Sequence, residues 1–288
     1  MTYLLDGPPG PPEAEEKQET QDQDTETKET KALPLAPDPL LFRPPDLIQS
    51  ILPGGQVHLF SGAPGSGKTV LAFQFLGALT RGELFFSLRC RRPAFMAIVA
   101  SDRTWDDHAL WAAVAGIESI PHYSMIEDTE ITGRKLDQAA RKRARFEIFE
   151  SIVDKLLAGV NLPTLPWDSL IVVDPISLFL GGDFNHYDKV FTHMLDFNQF
   201  AVKHRCTILG IAHAGKQKGD KAQRYTRPQD RIAGSTAQTG CSGTTLHLSP
   251  PAETGEDWHE FSWHPHHAPA DSLQLVQTPP DGHFVLKN

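Results

Sequence analysis

Four short apolar runs recur through the middle of the chain: Val57–Phe60, Ala94–Ala100, Leu170–Val173 and Cys206–Ala212. Runs of this length without polar interruption predict strands buried on both faces. Segments of helical period lie between them. Thr69–Thr80 carries Val70, Leu71, Phe73, Phe75, Leu76 and Leu79, too apolar for a helix on an open surface. Residues 139–157 place Phe146, Phe149, Ile152, Val153, Leu156 and Leu157 at helical spacing, with charges on the other face. Asp107–Ala115 and Tyr187–His204 predict two more helices. After Gly243 the texture changes to Thr245–Leu248, His259–Trp263, Leu273–Val276 and His283–Leu286, which predict antiparallel strands and hairpins. Strands alternating with helices and closed by hairpins predict an α/β fold, a mostly parallel sheet flanked by helices with antiparallel C-terminal strands.

The rest of the chain divides by composition. Residues 1–31 are rich in Pro, Glu, Gln, Thr and Lys, with almost no apolar side chains after Leu5, and read as a disordered acidic tail. Residues 32–55 read as a Pro-rich arm whose Leu, Phe and Ile dock either on their own domain or on a neighbouring subunit. Residues 56–288 form the domain, with C-terminal hairpins over 244–288. No stretch approaches the ~20 apolar residues of a membrane span, so no membrane partner is expected. The N-terminus lacks the basic and apolar regions of a secretory signal. Cys90, Cys206 and Cys241 are too few and scattered for a disulfide framework or zinc cluster. A reducing, cytoplasmic setting is the natural expectation.

The net charge of −9, from 27 basic and 36 acidic residues, argues against nucleic acid as a partner until it is divided by region. Residues 1–31 carry nine acidic and three basic side chains, a net of −6, and residues 250–288 carry six and one, a net of −5. The 23 basic and 21 acidic residues between them leave a net of +2.

Gly62-Ala63-Pro64-Gly65-Ser66-Gly67-Lys68-Thr69, followed by Val70, fits the phosphate-binding loop G-x-x-x-x-G-K-[ST]. A buried strand precedes it and an apolar helix follows, as that loop requires. Its backbone N–H groups and the helix N-terminus would cradle the phosphates of ATP. Lys68 would reach the β- and γ-phosphates, and the Thr69 hydroxyl would ligate Mg²⁺. Such a loop needs a carboxylate on a neighbouring strand to position the metal. Asp174, ending the run Leu170–Val173, is the candidate; the alternative is an Asp capping the turn before Pro175. Hydrolysis also needs a base. Asp102, the carboxylate at the immediate end of Ala94–Ala100, is the candidate; the alternative is a helix N-terminal Asp stabilised by the dipole. His213, at the end of the fourth run, is the candidate γ-phosphate sensor.

Residues 214–231 then carry Lys216, Lys218, Lys221, Arg224, Arg227 and Arg231 against Asp220 and Asp230, a net of +4, together with Tyr225. A basic loop with an aromatic suits contact with a nucleic acid strand. One of its arginines could instead reach a neighbouring subunit's γ-phosphate as an arginine finger. A second basic cluster, Arg134, Lys135, Arg141, Lys142, Arg143 and Arg145, reads as a charged outer helix face. His264, His266 and His267 sit among prolines and read as a surface hairpin without metal.

Residues 40–249 resemble RecA-like P-loop ATPases, and among them the RepA-type hexameric helicases of plasmids and similar phage ATPases. The resemblance rests on GAPGSGKT, LIVVDPISLFLGGD, CTILGIAHAGK and Asp230-Arg231-Ile232-Ala233-Gly234-Ser235. It implies a homo-oligomeric, hexameric ring with ATP and Mg²⁺ between subunits and single-stranded DNA on loops facing the channel. Two departures stand out. Ser101-Asp102 replaces the family's glutamate after the second strand, and residues 259–267 lack the Lys-x-Arg finger pair of DnaB-type helicases. The resemblance therefore implies a motor core acting in DNA replication. The alternatives are a RecA-like recombination or repair ATPase and an ATP-binding switch or scaffold with weak hydrolysis.

Overall fold

Every side chain of strand β6 (Ser169–Asp174) is buried; Leu170 and Val172 join one apolar cluster, Ile171 and Val173 another. Strand side chains alternate between faces, so this split means that the sheet is covered on both sides. The protein is described by a computed structural model over residues 45–127, 145–180, 187–213, 237–251, 257–266, 269–279 and 282–287. The same alternation runs through β1 (Val57–Gly62), β4 (Phe95–Ala100) and β7 (Cys206–His213).

The remaining strands are β2 (Leu84–Phe85), β3 (Leu88–Arg89), β5 (His122–Ser124), β8 (Thr244–Ser249), β9 (Trp258–Pro265), β10 (Asp271–Thr278) and β11 (His283–Leu286). β2 and β3 form a small hairpin; the others join the main sheet in the order β11-β10-β9-β8-β1-β7-β6-β4-β5. From β5 to β8 all neighbours are parallel, and from β8 to β11 all are antiparallel. The expected α/β class with antiparallel C-terminal strands is what the chain adopts. One correction concerns the run at 245–248: it lies in β8, which is parallel to β1 and antiparallel only to β9. Polarity therefore changes one strand later than the alternating texture suggests.

Helices α1 (Lys68–Arg81) and α2 (Trp105–Val114) pack on one face, together with Leu47, Ile48, Ile51 and Leu52. Those four residues belong to the segment read as an arm, and they lie in the domain's own core. Helices α3 (Arg145–Gly159) and α4 (Tyr187–His204) cover the other face. There Phe149 and Phe197, both fully buried, meet edge to face at 4.8 Å, and Phe146, Phe179 and Phe200 surround them. The helix expected over 139–157 is described from Arg145; residues 139–144 lie outside the described part. A short helix α5 (Ala237–Cys241) precedes β8.

α2 starts two residues before the expected Asp107, because Thr104 and Asp107 form a capping box. Their reciprocal hydrogen bonds satisfy backbone donors that the helix itself cannot. β2, β3 and β5 are only two or three residues long, too short for periodicity to reveal them.

Candidate functional site

β1 ends at Gly62 and α1 begins at Lys68, so the chain must reverse within five residues. Gly65 and Gly67 make the turn possible, with φ of 76° and 85°, values that a side chain would oppose. A Cβ on Gly67 would also lie 2.7 Å from Cζ of Phe284. Gly67 caps α1 with no side-chain hydrogen bond, and no acidic residue stands in the first turn. The helix therefore presents open N–H groups and the positive end of its dipole. The Ser66 hydroxyl is buried without a partner. Lys68 Nζ donates to the Ala63 carbonyl at 2.8 Å, folding back across its own loop. Burial holds its pKa below the usual lysine value; nearby Asp174 opposes this shift and Arg103 adds to it. A buried cation, an unpaired hydroxyl and bare helix N–H groups together fit a phosphate.

The C-terminal hairpin braces this loop. Gln74 Nε2 donates to the Phe284 carbonyl at 3.0 Å, and the Phe284 N–H donates to Gln74 Oε1 at 2.8 Å, both buried. The amide pairs with β11 as a further strand would, which holds the Phe284 ring against Gly67. Nothing in the sequence marks this contact: Gln74 stands in an apolar helix and Phe284 in an ordinary alternating run.

Three of the predicted groups lie at carboxyl ends of the parallel strands. His213 is the last residue of β7 and pairs in register with Gly62. Asp174 closes β6 opposite Ala100. Asp102 follows β4 by two residues. Ser101 ties the ends of β4 and β6 together: its N–H donates to the Asp174 carbonyl and its hydroxyl to the Pro175 carbonyl, both at 2.8 Å. The expectation of a neighbouring strand for Asp174 is corrected, since β7 lies between β6 and β1. Asp174 nonetheless acts on the charge of Lys68, because successive parallel strands end on the same edge. The Asp102 pKa is raised above its usual value, first by burial and then by Asp174, against the lowering effect of Arg103, His213 and His108. The N-cap of α2 is Thr104, paired with Asp107, and Asp102 lies two residues before that cap.

Residues 28–219, two-thirds of the chain, match the family model described as an AAA domain. The chain belongs to the AAA-domain family. It is a P-loop ATPase of the AAA type, and the matched span includes the phosphate loop, Asp102, Asp174 and His213. Among solved structures it is similar to a KaiC-like protein from the hyperthermophilic archaeon Pyrococcus horikoshii OT3, with 14% identity and a TM-score of 0.49 over 86% of this chain and 97% of that one. No curated protein matches.

In this AAA-domain ATPase, Thr69 and Asp174 could hold magnesium. Among the described residues no group of three or more His, Cys, Asp or Glu is arranged to hold a metal. A Mg²⁺ bound through one or two protein oxygens, with nucleotide phosphates and water completing its shell, needs no such group. No helix among the described residues is long and apolar enough to cross a membrane. Lys216, Lys218, Lys221, Arg224, Arg227 and the Asp230–Ser235 segment with Arg231 lie outside the described residues. So do Arg134, Lys135, Arg141, Lys142, Arg143 and His267. Arg145 is not simply a solvated charge: it donates to the Leu178 carbonyl at 2.9 Å, and burial lowers its pKa. His264 and His266 bond to Ser262 Oγ and the Thr239 carbonyl.

Sequence reading missed His108. Its ring is fully buried, with Nε2 3.6 Å from Asp174 Oδ2. The available signal was helical spacing, since His108 stands four residues before Ala112, the other buried position of α2.

Gln74→Leu removes both partners of the Phe284 backbone and leaves a buried N–H and C=O unpaired. It should lower stability by about 1–3 kcal/mol, read as a shift in the urea unfolding midpoint; an unshifted midpoint would contradict the brace.

Proposed function

We propose that this AAA-domain ATPase is the motor core of a homo-oligomeric, hexameric ring that hydrolyses ATP and moves along single-stranded DNA, a RepA-like replicative helicase of a phage or plasmid. The observation that carries the reading is the position of His213. It pairs with Gly62 at the mouth of the phosphate loop, and it is among the neighbours that oppose the raised pKa of Asp102. The strongly basic segment 214–231 follows it directly in the chain. Loss of the γ-phosphate beside His213 is thereby coupled to the residues best suited to grip a nucleic acid backbone.

In this reading the phosphate loop Gly62–Thr69, with Val70, binds the triphosphate, and Lys68 leaves the Ala63 carbonyl to neutralise the β- and γ-phosphates. Mg²⁺, held by Thr69 and Asp174, would supply charge neutralisation on the phosphates. Asp102 accepts the proton of the attacking water. Lys216, Lys218, Lys221, Arg224, Arg227 and Arg231 divide between DNA contact and an arginine finger. A second reading, a switch or scaffold with weak hydrolysis, draws on Asp102: its side chain is a methylene shorter than glutamate's. A RecA-like recombination or repair ATPase would share the same site and differ in forming filaments.

Steady-state ATPase rates, taken with and without single-stranded DNA beside molar mass by light scattering, separate these readings. The motor reading expects several-fold stimulation by DNA in a sixfold assembly and loss of turnover in Lys68→Ala. Unstimulated turnover no higher than that of an Asp174→Ala control would favour the switch.

The role of Asp102 has a pH signature. A base must be ionised to accept a proton, and the raised pKa means that Asp102 protonates at higher pH than an ordinary carboxylate. The acidic limb of kcat/KM should therefore lie above the usual carboxylate range, with activity lost as pH falls through it. Asp102→Asn should lower kcat by about 10²–10⁴ and abolish that limb. A variant that keeps both rate and limb would rule Asp102 out as the base.

A further inference from the structure

His108 follows the capping box of α2, in which the Thr104 N–H donates to Asp107 Oδ2 at 3.2 Å and the Asp107 N–H donates to Thr104 Oγ1 at 3.4 Å. With that first turn fixed, the imidazole points into the protein and is fully buried. Phe73 of α1 packs on it at 5.3 Å. On another side His122 of the edge strand β5 meets it edge to face at 5.5 Å, and Trp105 packs on His122 at 4.8 Å. His108 Nδ1 lies 3.3 Å from His122 Nε2. Its Nε2 has no hydrogen-bond partner and stands 3.6 Å from Asp174 Oδ2.

These contacts select one tautomer. A neutral imidazole carries one N–H and one bare nitrogen. If Nδ1 of His108 held the proton, the lone pair of Nε2 would face a carboxylate, acceptor against acceptor, inside the protein. With the proton on Nε2, His108 directs a donor at Asp174 Oδ2, and the His122 Nε2–H donates to Nδ1. Burial above all holds the His122 pKa at about 4, so at neutral pH His122 is an uncharged ring with one N–H to give. A buried nitrogen aimed at a carboxylate and short of contact by well under 1 Å is costly to leave unpaired.

We propose that His108, buttressed by His122, is a positioning residue that holds one oxygen of Asp174 and so orients the carboxylate toward Mg²⁺. The proposal rests on the reading of Asp174 as a magnesium-holding group. Groups that orient a metal-binding carboxylate typically change metal affinity by about 10–100-fold when removed.

The test is Mn²⁺ binding to the ADP complex of the full chain, followed by electron paramagnetic resonance, beside ADP affinity in EDTA. In His108→Gln the side-chain amide reaches the Nε2 position and keeps the donor to Asp174. In His108→Asn it reaches only the Nδ1 position, keeping the contact to His122. His108→Asn should weaken Mn²⁺ binding roughly 10–100-fold, whereas His108→Gln stays within about threefold of the parent; metal-free ADP affinity should hold in both. Parental Mn²⁺ affinity in His108→Asn, an equal loss in His108→Gln, or a loss of ADP affinity in EDTA would overturn the proposal. Should His108→Asn fail to fold, His122→Phe removes the supporting donor away from the metal. It should weaken Mn²⁺ several-fold, and an unchanged affinity would again overturn the proposal. Asp174→Asn separates the two layers: unchanged Mn²⁺ affinity there refutes the reading of Asp174 itself, whereas a loss there with none in His108→Asn refutes only the positioning role.

Discussion

Parallel hydrogen bonding across β1, β7, β6 and β4 brings the carboxyl ends of four strands, far apart in sequence, onto one edge of the sheet. His213 is set opposite Gly62 and Asp174 opposite Ala100 by register alone, so the chemistry follows from pairing rather than from loop conformation. The reversal at β1 uses glycines in left-handed conformations, which opens the N-terminus of α1 toward that same edge. Ligands of open α/β sheets gather outside the strand carboxyl ends for this reason. The polar groups assembled there, Lys68, Asp174 and His108, are buried and would weaken an ordinary core. Two apolar layers, one on each face of the sheet, offset that cost.

Bracing from outside the site is as specific as the site itself. The C-terminal strands, which lie beyond the family-matched span, return to the phosphate loop through Gln74 and Phe284. The ends of β4 and β6 are stitched by Ser101, so a displacement of Asp174 is felt at Asp102. The overall acidity of the chain does not oppose a nucleic acid partner, because the negative excess belongs to residues 1–31 and 250–288.

Much of this was legible in the sequence, and for identifiable reasons. The phosphate loop shows itself because only glycine suits its left-handed positions, and the central strands because burial on both faces demands continuous apolar runs. Asp174 and His213 stand out as polar residues that end such runs. Strand order does not show, since parallel neighbours meet through crossovers that leave no local pattern; hence β6 was expected beside β1, where β7 lies. β5, the three residues His122–Ser124, carries no apolar run, so the pairing of His122 with His108 could not be read. The Gln74–Phe284 clamp joins positions 210 residues apart through a side chain that mimics a strand, and neither residue is unusual in its own segment.

In the proposed site, the strand ends around Gly62–Thr69 form one nucleotide pocket on which Lys68 and Asp174 act together. A crystal structure with Mg²⁺ and a non-hydrolysable ATP analogue tests it most directly. The triphosphate should be wrapped by residues 62–69, with Lys68 Nζ moved from the Ala63 carbonyl to the phosphates and the metal between the Thr69 hydroxyl and Asp174. A nucleotide bound elsewhere, or a Lys68 still hydrogen-bonded to Ala63 beside a bound triphosphate, would contradict it.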